Sequence, residues 1–472
     1  YLVGVLYGDF FNMSNTPFSS LPLPQALLGN LTDLGYETMT DVQARALPAV
    51  LTGQDVIAQA KTGSGKTATF GLGLLAQLDV KYFRVQSLVL CPTRELADQV
   101  ATELRKLARS IHNIKILTLC GGAPIRPQIT SLEHGAHIIV GTPGRVMDHL
   151  DQGRLKLDDL RCLVLDEADR MLDMGFQAEL DSVIAKAPLK RQTLMFSATY
   201  PDSIAALSAR LLNKPVHIKV EEQHGNSSIE QKFFQVNDNR DRMSALRLLL
   251  LKYQGQSSIV FCTTKRETQE VADLLTSYGF SVLALHGDLD QKERDQALVK
   301  FANGSACVLV ATDVAARGLD ISSVDAVFNY QLAHDADTHT HRIGRTGRAG
   351  QQGMALSLYA DSDALRMIAL EEGLGLKIEA QPLPDESVLQ TKPTKPQMAT
   401  LQLDSGKKNK LRPGDIVGAL TASKQLTGDD LGKIQVYDIW SFVAVRRSAA
   451  GMALQMLQDS KIKGKSVRAR VL

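Results

Sequence analysis

The chain has few cysteines, no long apolar run and no excess of charge of either sign. Its five cysteines among 472 residues are scattered and never spaced as CxxC. We interpret them as buried apolar side chains in a reducing compartment such as the cytoplasm, rather than as a disulfide framework or a zinc site. No apolar stretch approaches the roughly 18 residues that a membrane-spanning helix needs. With 53 basic and 51 acidic residues, the net charge of +2 indicates no partner by itself.

The charge becomes informative once it is located along the chain. Residues 399–472 hold 13 basic and 6 acidic residues, whereas the first 398 residues hold 40 and 45. The protein is therefore a near-neutral body with a basic tail domain. Binding of a polyanion is expected in that tail.

The first dozen residues are apolar and aromatic but lack the basic segment that opens a signal peptide. Met13, followed by Ser-Asn-Thr-Pro, looks like a natural start. We therefore expect residues 1–12 to be a non-native extension.

Short, continuous apolar runs recur along most of the chain, separated by helical stretches. Continuous runs are typical of strands buried on both faces, which predicts parallel sheets covered by helices. The crossover rule then gives two doubly wound α/β domains, residues 13–220 and 229–377, joined by a polar linker, 221–228. The runs are 55–58, 87–90, 115–117, 137–140, 163–165 and 193–196 in the first domain, and 258–261, 281–284, 307–310 and 326–328 in the second.

Two further segments complete the organisation. Residues 378–398 contain four prolines and no periodicity, which is typical of an extended linker. Residues 399–472 follow a βαββαβ order and predict a small α+β domain. The fold class is therefore α/β, with a C-terminal α+β module.

A glycine-rich loop follows the first apolar run and precedes a helix. Gly63 and Gly65 allow the backbone to wrap so that its N–H groups face phosphates at a helix N-terminus. Lys66 adds a positive charge, and Thr67 can ligate Mg²⁺. A plain glycine- and serine-rich turn is the alternative interpretation.

The apolar run 163–165 is followed directly by the carboxylates of Asp166-Glu167-Ala168-Asp169. The carboxyl ends of such strands line the crevice where α/β sheets bind ligands. Asp166 can hold Mg²⁺, and Glu167 can position or deprotonate an attacking water. Alternatively, these carboxylates only complement a helix dipole.

The second domain lacks a phosphate loop but contains three arginines in the segment His341–Arg348. We interpret Arg345 and Arg348 as arginine fingers that complete the first domain's site when the domains close. The alternative is a solvated basic turn.

These motifs, taken together in order, resemble those of the DEAD-box RNA helicases from Phe18 to about Gly353. Each is weak alone, but an ordered set does not arise by chance. The others are Pro92–Ala97, Gly121-Gly122, Thr142–Arg145, Ser197–Thr199, Gln291–Arg294 and Ala311–Asp320.

The resemblance implies two RecA-like domains, ATP with Mg²⁺, and local separation of RNA strands. Gln43 and Phe18 would contact the adenine, although Met39 and Asp41 stand where the family usually has prolines. By the same resemblance, Ser64 and Asp320 join the nucleotide site. Residues that would couple the ATP state to the domain arrangement are Asp169, Ser197, Thr199, Asp313, Arg317 and His341. Residues that would contact the RNA backbone are Pro92, Thr93, Arg94, Gly122, Thr142, Arg145, Gln291, Arg294 and Thr312.

The tail resembles the RNA-recognition-type domain of the DbpA subgroup, whose members act on large-subunit ribosomal RNA during ribosome assembly. The usual stacking motif is not intact; the nearest segment is Ile439–Val445. Trp440 is either core filling or a platform for a base. The lysine runs are candidates for RNA phosphate contact or plain solvated surface: Lys407, Lys408 and Lys410, and Lys461, Lys463 and Lys465.

The sequence thus predicts an ATP-dependent RNA helicase directed by its tail to ribosomal RNA and ribosome assembly intermediates. One alternative is an ATP-gated RNA clamp whose output is occupancy rather than unwinding. A DNA helicase is disfavoured, because the Asp-Glu-Ala-Asp set matches the RNA enzymes.

Overall fold

The computed structural model describes residues 16–60, 63–220, 229–316, 324–347, 352–375, 377–423 and 425–472. Its contacts divide the chain into two compact units, with the main boundary between Gln223 and His224. Residues 1–12, the expected extension, and the linker 221–228 lie outside the described residues. In the described ranges no helix has the length and apolar character needed to cross a bilayer.

The first unit is built on a parallel sheet, as the continuous apolar runs predict. In its described part, seven strands follow the order β3-β4-β2-β5-β6-β1-β7. The strand β1 places Val56 between Leu194 and Val216. The strands are β1 (Val56–Gln59), β2 (Ser87–Leu90), β3 (Ile116–Leu119), β4 (Ile138–Gly141), β5 (Cys162–Asp166), β6 (Gln192–Ser197) and β7 (Val216–Lys219).

Helices cover both faces of this sheet and form two apolar layers. Helix α4 illustrates why they form: its apolar residues Ala97, Val100 and Leu104 recur at helical spacing and are buried. The helices are α1 (Gln25–Asp33), α2 (Asp41–Leu51), α3 (Lys66–Ala76), α4 (Arg94–Leu107), α5 (Ile125–Glu133), α6 (Pro143–Asp151), α7 (Ala168–Asp173), α8 (Gln177–Ala185) and α9 (Asp202–Leu211).

The second unit repeats this architecture and then adds the tail domain. Six described strands form a parallel sheet in the order β10-β11-β9-β12-β13-β8. The strands are β8 (Ile229–Gln235), β9 (Ser258–Cys262), β10 (Val282–Leu285), β11 (Val308–Thr312), β12 (Ala326–Asn329) and β13 (Gly353–Tyr359). The helices are α10 (Asn239–Lys252), α11 (Lys265–Ser277), α12 (Gln291–Ala302), α13 (Asp313–Ala316), α14 (Ala336–Ile343) and α15 (Ala364–Leu374).

The proline-rich segment 378–398 differs from the extended linker that its composition predicts. It contains a short 3-10 helix, Glu386–Gln390, and Leu383, Val388 and Leu389 pack against the core of the second unit. Thr394 also donates a 2.7 Å hydrogen bond from Oγ1 to Gln254 Oε1. These apolar and polar contacts hold the segment against the second RecA-like domain.

The tail domain has the predicted βαββαβ order with one additional hairpin. Its four-stranded antiparallel sheet follows the order β15-β16-β14-β19. Two helices pack on one face around Leu401, Leu403, Val443 and Val445. The elements are β14 (Met398–Leu403), α16 (Pro413–Thr421), β15 (Leu431–Val436), β16 (Ser441–Arg446), α17 (Ala450–Asp459), β17 (Lys461–Ile462), β18 (Lys465–Ser466) and β19 (Ala469–Val471).

The opposite face of this sheet is docked on helix α12 and on the turn that follows it, through buried polar side chains. Gln296 Nε2 donates to Gln402 Oε1 at 3.0 Å. Thr400 Oγ1 lies 2.7 Å from Ser305 Oγ and accepts a 3.3 Å hydrogen bond from Asn303 Nδ2. Buried polar groups need such partners, so these contacts fix the tail domain on the second RecA-like domain.

Candidate functional site

The glycine-rich loop joins β1 to α3, and its last residue, Gly65, has a backbone conformation that other residues rarely adopt. Gly65 has φ +97°, and a Cβ there would lie 2.5 Å from Gln43 Nε2 and 2.9 Å from Thr40 Oγ1. Gly63 also has a positive φ of 87°. Both glycines therefore let the backbone turn sharply before α3 begins at Lys66.

Thr40 and Gln43 support this loop from the start of α2. Thr40 Oγ1 donates to Ser64 O at 2.7 Å, and Gln43 Nε2 donates to Gly65 O at 3.3 Å. Gln43 Oε1 accepts the Thr40 N–H at 2.8 Å, which completes a capping box despite Met39 and Asp41. An amide oxygen has two lone pairs and an amide nitrogen two hydrogens. Gln43 thus retains one acceptor and one donor site beyond these contacts.

Phe18, the expected adenine contact, lies within the core of the first unit. Its side chain is only 3% exposed and belongs to the apolar core of the first unit. The ring packs edge-on against Tyr36 with centroids 6.1 Å apart. Core packing thus already uses the ring, and contact with the adenine stays a prediction.

Lys66 and Asp166 carry buried polar atoms that fit a nucleotide with a bound cation. Among the described residues, neither Lys66 Nζ nor Asp166 Oδ1 has a hydrogen-bond partner. Burial raises the pKa of Asp166 to about 6, and the nearby Lys66 opposes that rise. A phosphate would satisfy Lys66, and Mg²⁺ would satisfy Asp166 together with the Thr67 hydroxyl.

Lys66→Ala is expected to weaken ATP binding by about 10- to 100-fold, because charge-assisted hydrogen bonds contribute about 1.5–3 kcal/mol. Titration with a fluorescent ATP analogue measures the change. Lys81→Ala, at an exposed lysine of the same unit, is the matched control. Unchanged affinity in Lys66→Ala would contradict the assignment.

Glu167 lies at the end of β5 in a conformation that is rare for a side chain other than glycine. Its φ of 54° and ψ of 55° are left-handed, and it precedes α7 directly. Arg170 Nη1 lies 3.2 Å from Glu167 Oε2, and both side chains are buried. Such strain is concentrated at functional sites. The ion pair restricts the direction in which the carboxylate points.

Asp169 connects the end of β5 to the loop after β6. Its Oδ2 accepts hydrogen bonds from the N–H groups of Ala198 and Thr199 at 3.1 and 2.9 Å. The Thr199 hydroxyl donates to the same oxygen at 3.0 Å, and Ser197 Oγ accepts the Asp169 N–H at 3.3 Å. The structure thus brings together three of the residues expected to couple the domains.

Asp313 is held by Arg342 in the second unit. Arg342 Nε and Nη2 donate to the two carboxylate oxygens at 2.6 and 2.8 Å. Arg342 Nη1 also donates to Asn329 Oδ1 and to the Gln331 carbonyl. This bidentate pair ties α13 to α14, which carries His341 in its last turn.

Thr312 and Arg345, two other candidate residues of this unit, make local hydrogen bonds. Thr312 Oγ1 accepts the Ala315 N–H at 3.4 Å, which supports the start of α13. Arg345 follows α14, and its carbonyl accepts the Val324 N–H at 3.0 Å. Arg317, Asp320 and Arg348 lie outside the described residues.

The Pro92-Thr93-Arg94 motif is in part a helix cap. Thr93 Oγ1 accepts the Leu96 N–H at 3.2 Å, and both Pro92 and Thr93 are buried. Arg94 is partly exposed and lies 3.7 Å from Asp98. Arg94 therefore remains the candidate for RNA contact, whereas Thr93 shapes the turn.

Two further motifs meet at the carboxyl ends of β3 and β4. Gly121 N donates to Thr142 Oγ1 at 3.4 Å, and Arg145 Nη1 donates to the Ala123 carbonyl at 3.2 Å. Gly122 is exposed and has φ +72°. Backbone N–H groups, a hydroxyl and a guanidinium at one edge suit a sugar–phosphate chain.

Gln291 and Arg294 lie in the first turn of α12. The helix starts with a capping box in which Asp290 Oδ1 accepts the Glu293 N–H at 2.8 Å. Gln291 Nε2 donates to Asp295 at 2.8 Å. Further along, the same helix carries the contacts to the tail domain.

The two lysine runs of the tail meet, although some fifty residues separate them. Lys463 Nζ lies 3.0 Å from Asp415 Oδ2 and donates to the Lys410 carbonyl. These contacts give Lys463 a bracing role in addition to its predicted contact with phosphate. All the lysines of the two runs remain exposed: Lys407, Lys408, Lys410, Lys461, Lys463 and Lys465.

Trp440 precedes β16 and is partly exposed. Within the described chain its buried indole Nε1 has no hydrogen-bond partner. Phe442 is 1% exposed and stands opposite Gln402, on the sheet face that docks on α12. Phe442 is therefore not available at the sheet surface to stack on a base.

Comparison with known families matches all three parts of the chain. A model described as DEAD/DEAH box helicase matches residues 40–207, and one described as helicase conserved C-terminal domain matches 241–350. A model described as DbpA RNA binding domain matches 400–471.

Comparison with individual proteins identifies the same family. The chain is 55% identical over 458 residues to the ATP-dependent RNA helicase DbpA of Escherichia coli K12, covering 97% of this chain and 100% of that protein. It is 41% identical over 365 residues to the DEAD-box ATP-dependent RNA helicase CshA of Geobacillus kaustophilus, covering 77% and 78%. Dbp5 of S. cerevisiae bound to RNA and ADP BeF3 aligns with a TM-score of 0.69 and 31% identity, over 79% of this chain and 98% of that chain.

Two RecA-like domains with these motifs define an ATP-hydrolysing DEAD-box RNA helicase. Within that class, the chain belongs to the DbpA family, with an RNA-binding C-terminal domain.

Sequence reasoning missed side chains that act through other residues. Arg170 stands beside Glu167, and Gln128 and His149 stand behind the Gly121-Gly122 loop. Arg342 lies in a segment that the sequence singles out, but the sequence does not predict its pairing with Asp313. Arg170 is three residues from Glu167, a spacing that makes the two neighbours on a helix surface and could have been noticed. The others depend on contacts between distant segments.

Proposed function

We propose that this helicase is directed by its C-terminal domain to structured large-subunit ribosomal RNA and separates nearby duplexes during ribosome assembly in the cytoplasm. The observation that carries the proposal is the match of residues 400–471 to the DbpA RNA binding domain, together with the surplus of 13 basic over 6 acidic residues in the tail. RNA affinity depends strongly on such charge.

The geometry of the tail supports contact with a folded RNA. The loop that carries Lys407 and Lys408 packs on the β15–β16 turn, since their N–H groups donate to the carbonyls of Tyr437 and Asp438 at 2.8 and 2.9 Å. The hairpin of Lys461 and Lys465 adjoins the same loop through the Lys463 contacts. These side chains form one basic surface, which we call the lysine edge: Lys407, Lys408, Lys410, Lys461 and Lys465.

Docking on α12 gives this surface a defined relation to the second domain. The helix carries Gln291 and Arg294 at its start and Gln296 near its middle, where it contacts Gln402. RNA held at the lysine edge would thus be presented at a fixed orientation to the RNA contacts of α12. The tail acts as a rigid guide, in addition to raising the local RNA concentration.

Within the core, each motif has one task in a cycle of ATP binding, domain closure and hydrolysis. Lys66 and the loop N–H groups bind the ATP phosphates, and Mg²⁺ held by Asp166 and Thr67 would neutralise charge on them. Glu167 orients the attacking water, and the Asp169 network reports the nucleotide state to the domain arrangement. Arg345 and Arg348 approach the γ-phosphate on closure. The groove residues Arg94, Gly122, Thr142, Arg145, Gln291 and Arg294 hold one strand by its backbone.

Replacing both Lys461 and Lys465 with alanine is expected to weaken binding of a ribosomal RNA hairpin and to flatten its salt dependence. The logarithmic slope should fall by about 0.7 to 0.9 for each RNA phosphate that is no longer neutralised by a lysine. Affinity measured over a salt series tests this. Lys395 and Lys433, exposed lysines of the same unit, provide a matched double variant.

The outcomes separate three possibilities. A flattened slope in the lysine-edge variant alone supports phosphate binding there. Equal affinity of that variant for matched and scrambled hairpins, with an unchanged slope, would mean base reading instead. Equal affinity of the full chain for matched and scrambled hairpins at every salt concentration would reject ribosomal targeting.

A further inference from the structure

A chain of buried hydrogen bonds connects two RNA-contact motifs of the first unit from behind. Gln128 on α5 donates from Nε2 to the Cys120 carbonyl at 3.1 Å. His149 on α6 lies with Nε2 3.2 Å from Gln128 Oε1. Gln128 and His149 are 8% and 0% exposed, and neither belongs to a motif recognised from the sequence.

The direction of these hydrogen bonds fixes the state of the histidine. Because Gln128 Nε2 donates to a carbonyl, its Oε1 must accept, so His149 Nε2 carries the hydrogen. His149 Nδ1 is buried without a partner among the described residues, and it serves as an unprotonated nitrogen. Burial lowers the pKa of His149, in keeping with a neutral ring.

The chain of hydrogen bonds ends at a carbonyl that matters for RNA. Cys120 immediately precedes Gly121-Gly122, whose backbone is exposed and includes a positive φ at Gly122. Two glycines have no side chains to hold them, so their direction depends on the groups at either end. Gly121 and Ala123 contact Thr142 and Arg145 on the exposed side. Gln128 holds the loop from the buried side.

We propose that Gln128 and His149 are positioning residues that hold the Gly121-Gly122 loop in register with the Thr142–Arg145 segment, so that both contact the same RNA backbone. The proposal rests on the proposed RNA groove of the first domain. The hydrogen bonds of the two side chains lead to Cys120 and not to Lys66 or Asp166, so their effect is specific to RNA rather than ATP.

The test uses the full chain and an unstructured single-stranded RNA such as poly(U), which offers no hairpin to the tail. The concentration of RNA that half-stimulates ATP hydrolysis is measured, with the rate at saturating RNA and the affinity for a fluorescent ADP analogue without RNA. Gln128→Met and His149→Leu remove the hydrogen bonds. His149→Gln retains a donor near the Nε2 position.

Gln128→Met and His149→Leu are expected to raise the half-stimulating RNA concentration about tenfold, the factor that corresponds to about 1.4 kcal/mol. Nucleotide affinity and the rate at saturating RNA should stay near the wild-type values. In His149→Gln, the half-stimulating RNA concentration should also stay near the wild-type value. His137→Leu is the matched control. His137 is 0% exposed and makes hydrogen bonds at both ring nitrogens, to Lys115 N and the Val80 carbonyl, away from the groove.

Three outcomes would overturn the inference in distinguishable ways. If Arg145→Ala raises the RNA requirement and the variants of Gln128 and His149 do not, the groove stands and the positioning role fails. If Arg145→Ala also has no effect, the groove assignment fails and the inference fails with it. An equal rise in His137→Leu would show general destabilisation, which thermal unfolding of each variant would reveal.

Discussion

Glu167→Gln is expected to reduce ATP turnover by roughly 10²- to 10⁴-fold, the range typical of removing a general base. Glutamine has nearly the same shape but cannot take a proton, and it removes the negative charge that pairs with Arg170 at 3.2 Å. ATP and RNA binding should be retained, because Lys66 and the groove are untouched.

Steady-state hydrolysis with saturating RNA measures this effect. Glu133→Gln, at an exposed carboxylate at the end of α5, is the control for the removal of a negative charge. Hydrolysis at the wild-type level in Glu167→Gln would refute the role given to Glu167.

Arg348→Ala in the full chain is expected to lower RNA-stimulated turnover by about 10³- to 10⁵-fold, the contribution of arginine fingers in related chemistry. Nucleotide affinity should change much less, since the first unit holds the phosphate loop. The first domain alone, residues 13–220, should likewise bind nucleotide weakly and hydrolyse almost none, with or without RNA.

Single-turnover hydrolysis and nucleotide titration separate these effects. Arg266→Ala serves as control, because this exposed arginine of the second unit pairs with Glu270 on the same helix. Robust RNA-stimulated turnover by the first domain alone would contradict the assignment of Arg345 and Arg348 as fingers that complete the site when the domains close.

The central strands are predictable because burial on both faces makes them continuous apolar runs. Strands β7 and β8 are not predicted by any such run: only Ile218 is buried in β7, and β8 mixes Glu230 and Lys232 with apolar residues. Both lie at sheet edges, where one side of the strand meets solvent and the pattern weakens.

The phosphate loop and its carboxylates are predictable because their chemistry needs fixed residue types at short spacing. The placement of Phe18 in the core depends instead on tertiary packing against Tyr36. The same holds for the docking of Thr400 on Asn303 and Ser305, which joins segments about 95 residues apart. No local pattern encodes such a pairing, so the sequence alone predicts a tethered module rather than a docked one.

The most direct measurement is crosslinking of the intact protein to cellular RNA, followed by sequencing of the bound fragments. Targeting by the C-terminal domain predicts enrichment at one structured region of large-subunit ribosomal RNA. Two comparison chains correct for the abundance of ribosomal RNA: one lacking residues 399–472, and one with Lys461 and Lys465 replaced by alanine. Neither should show the enrichment, and both should retain RNA-stimulated ATP hydrolysis at high RNA concentration. An identical distribution of fragments for all three chains would contradict ribosomal targeting by the C-terminal domain.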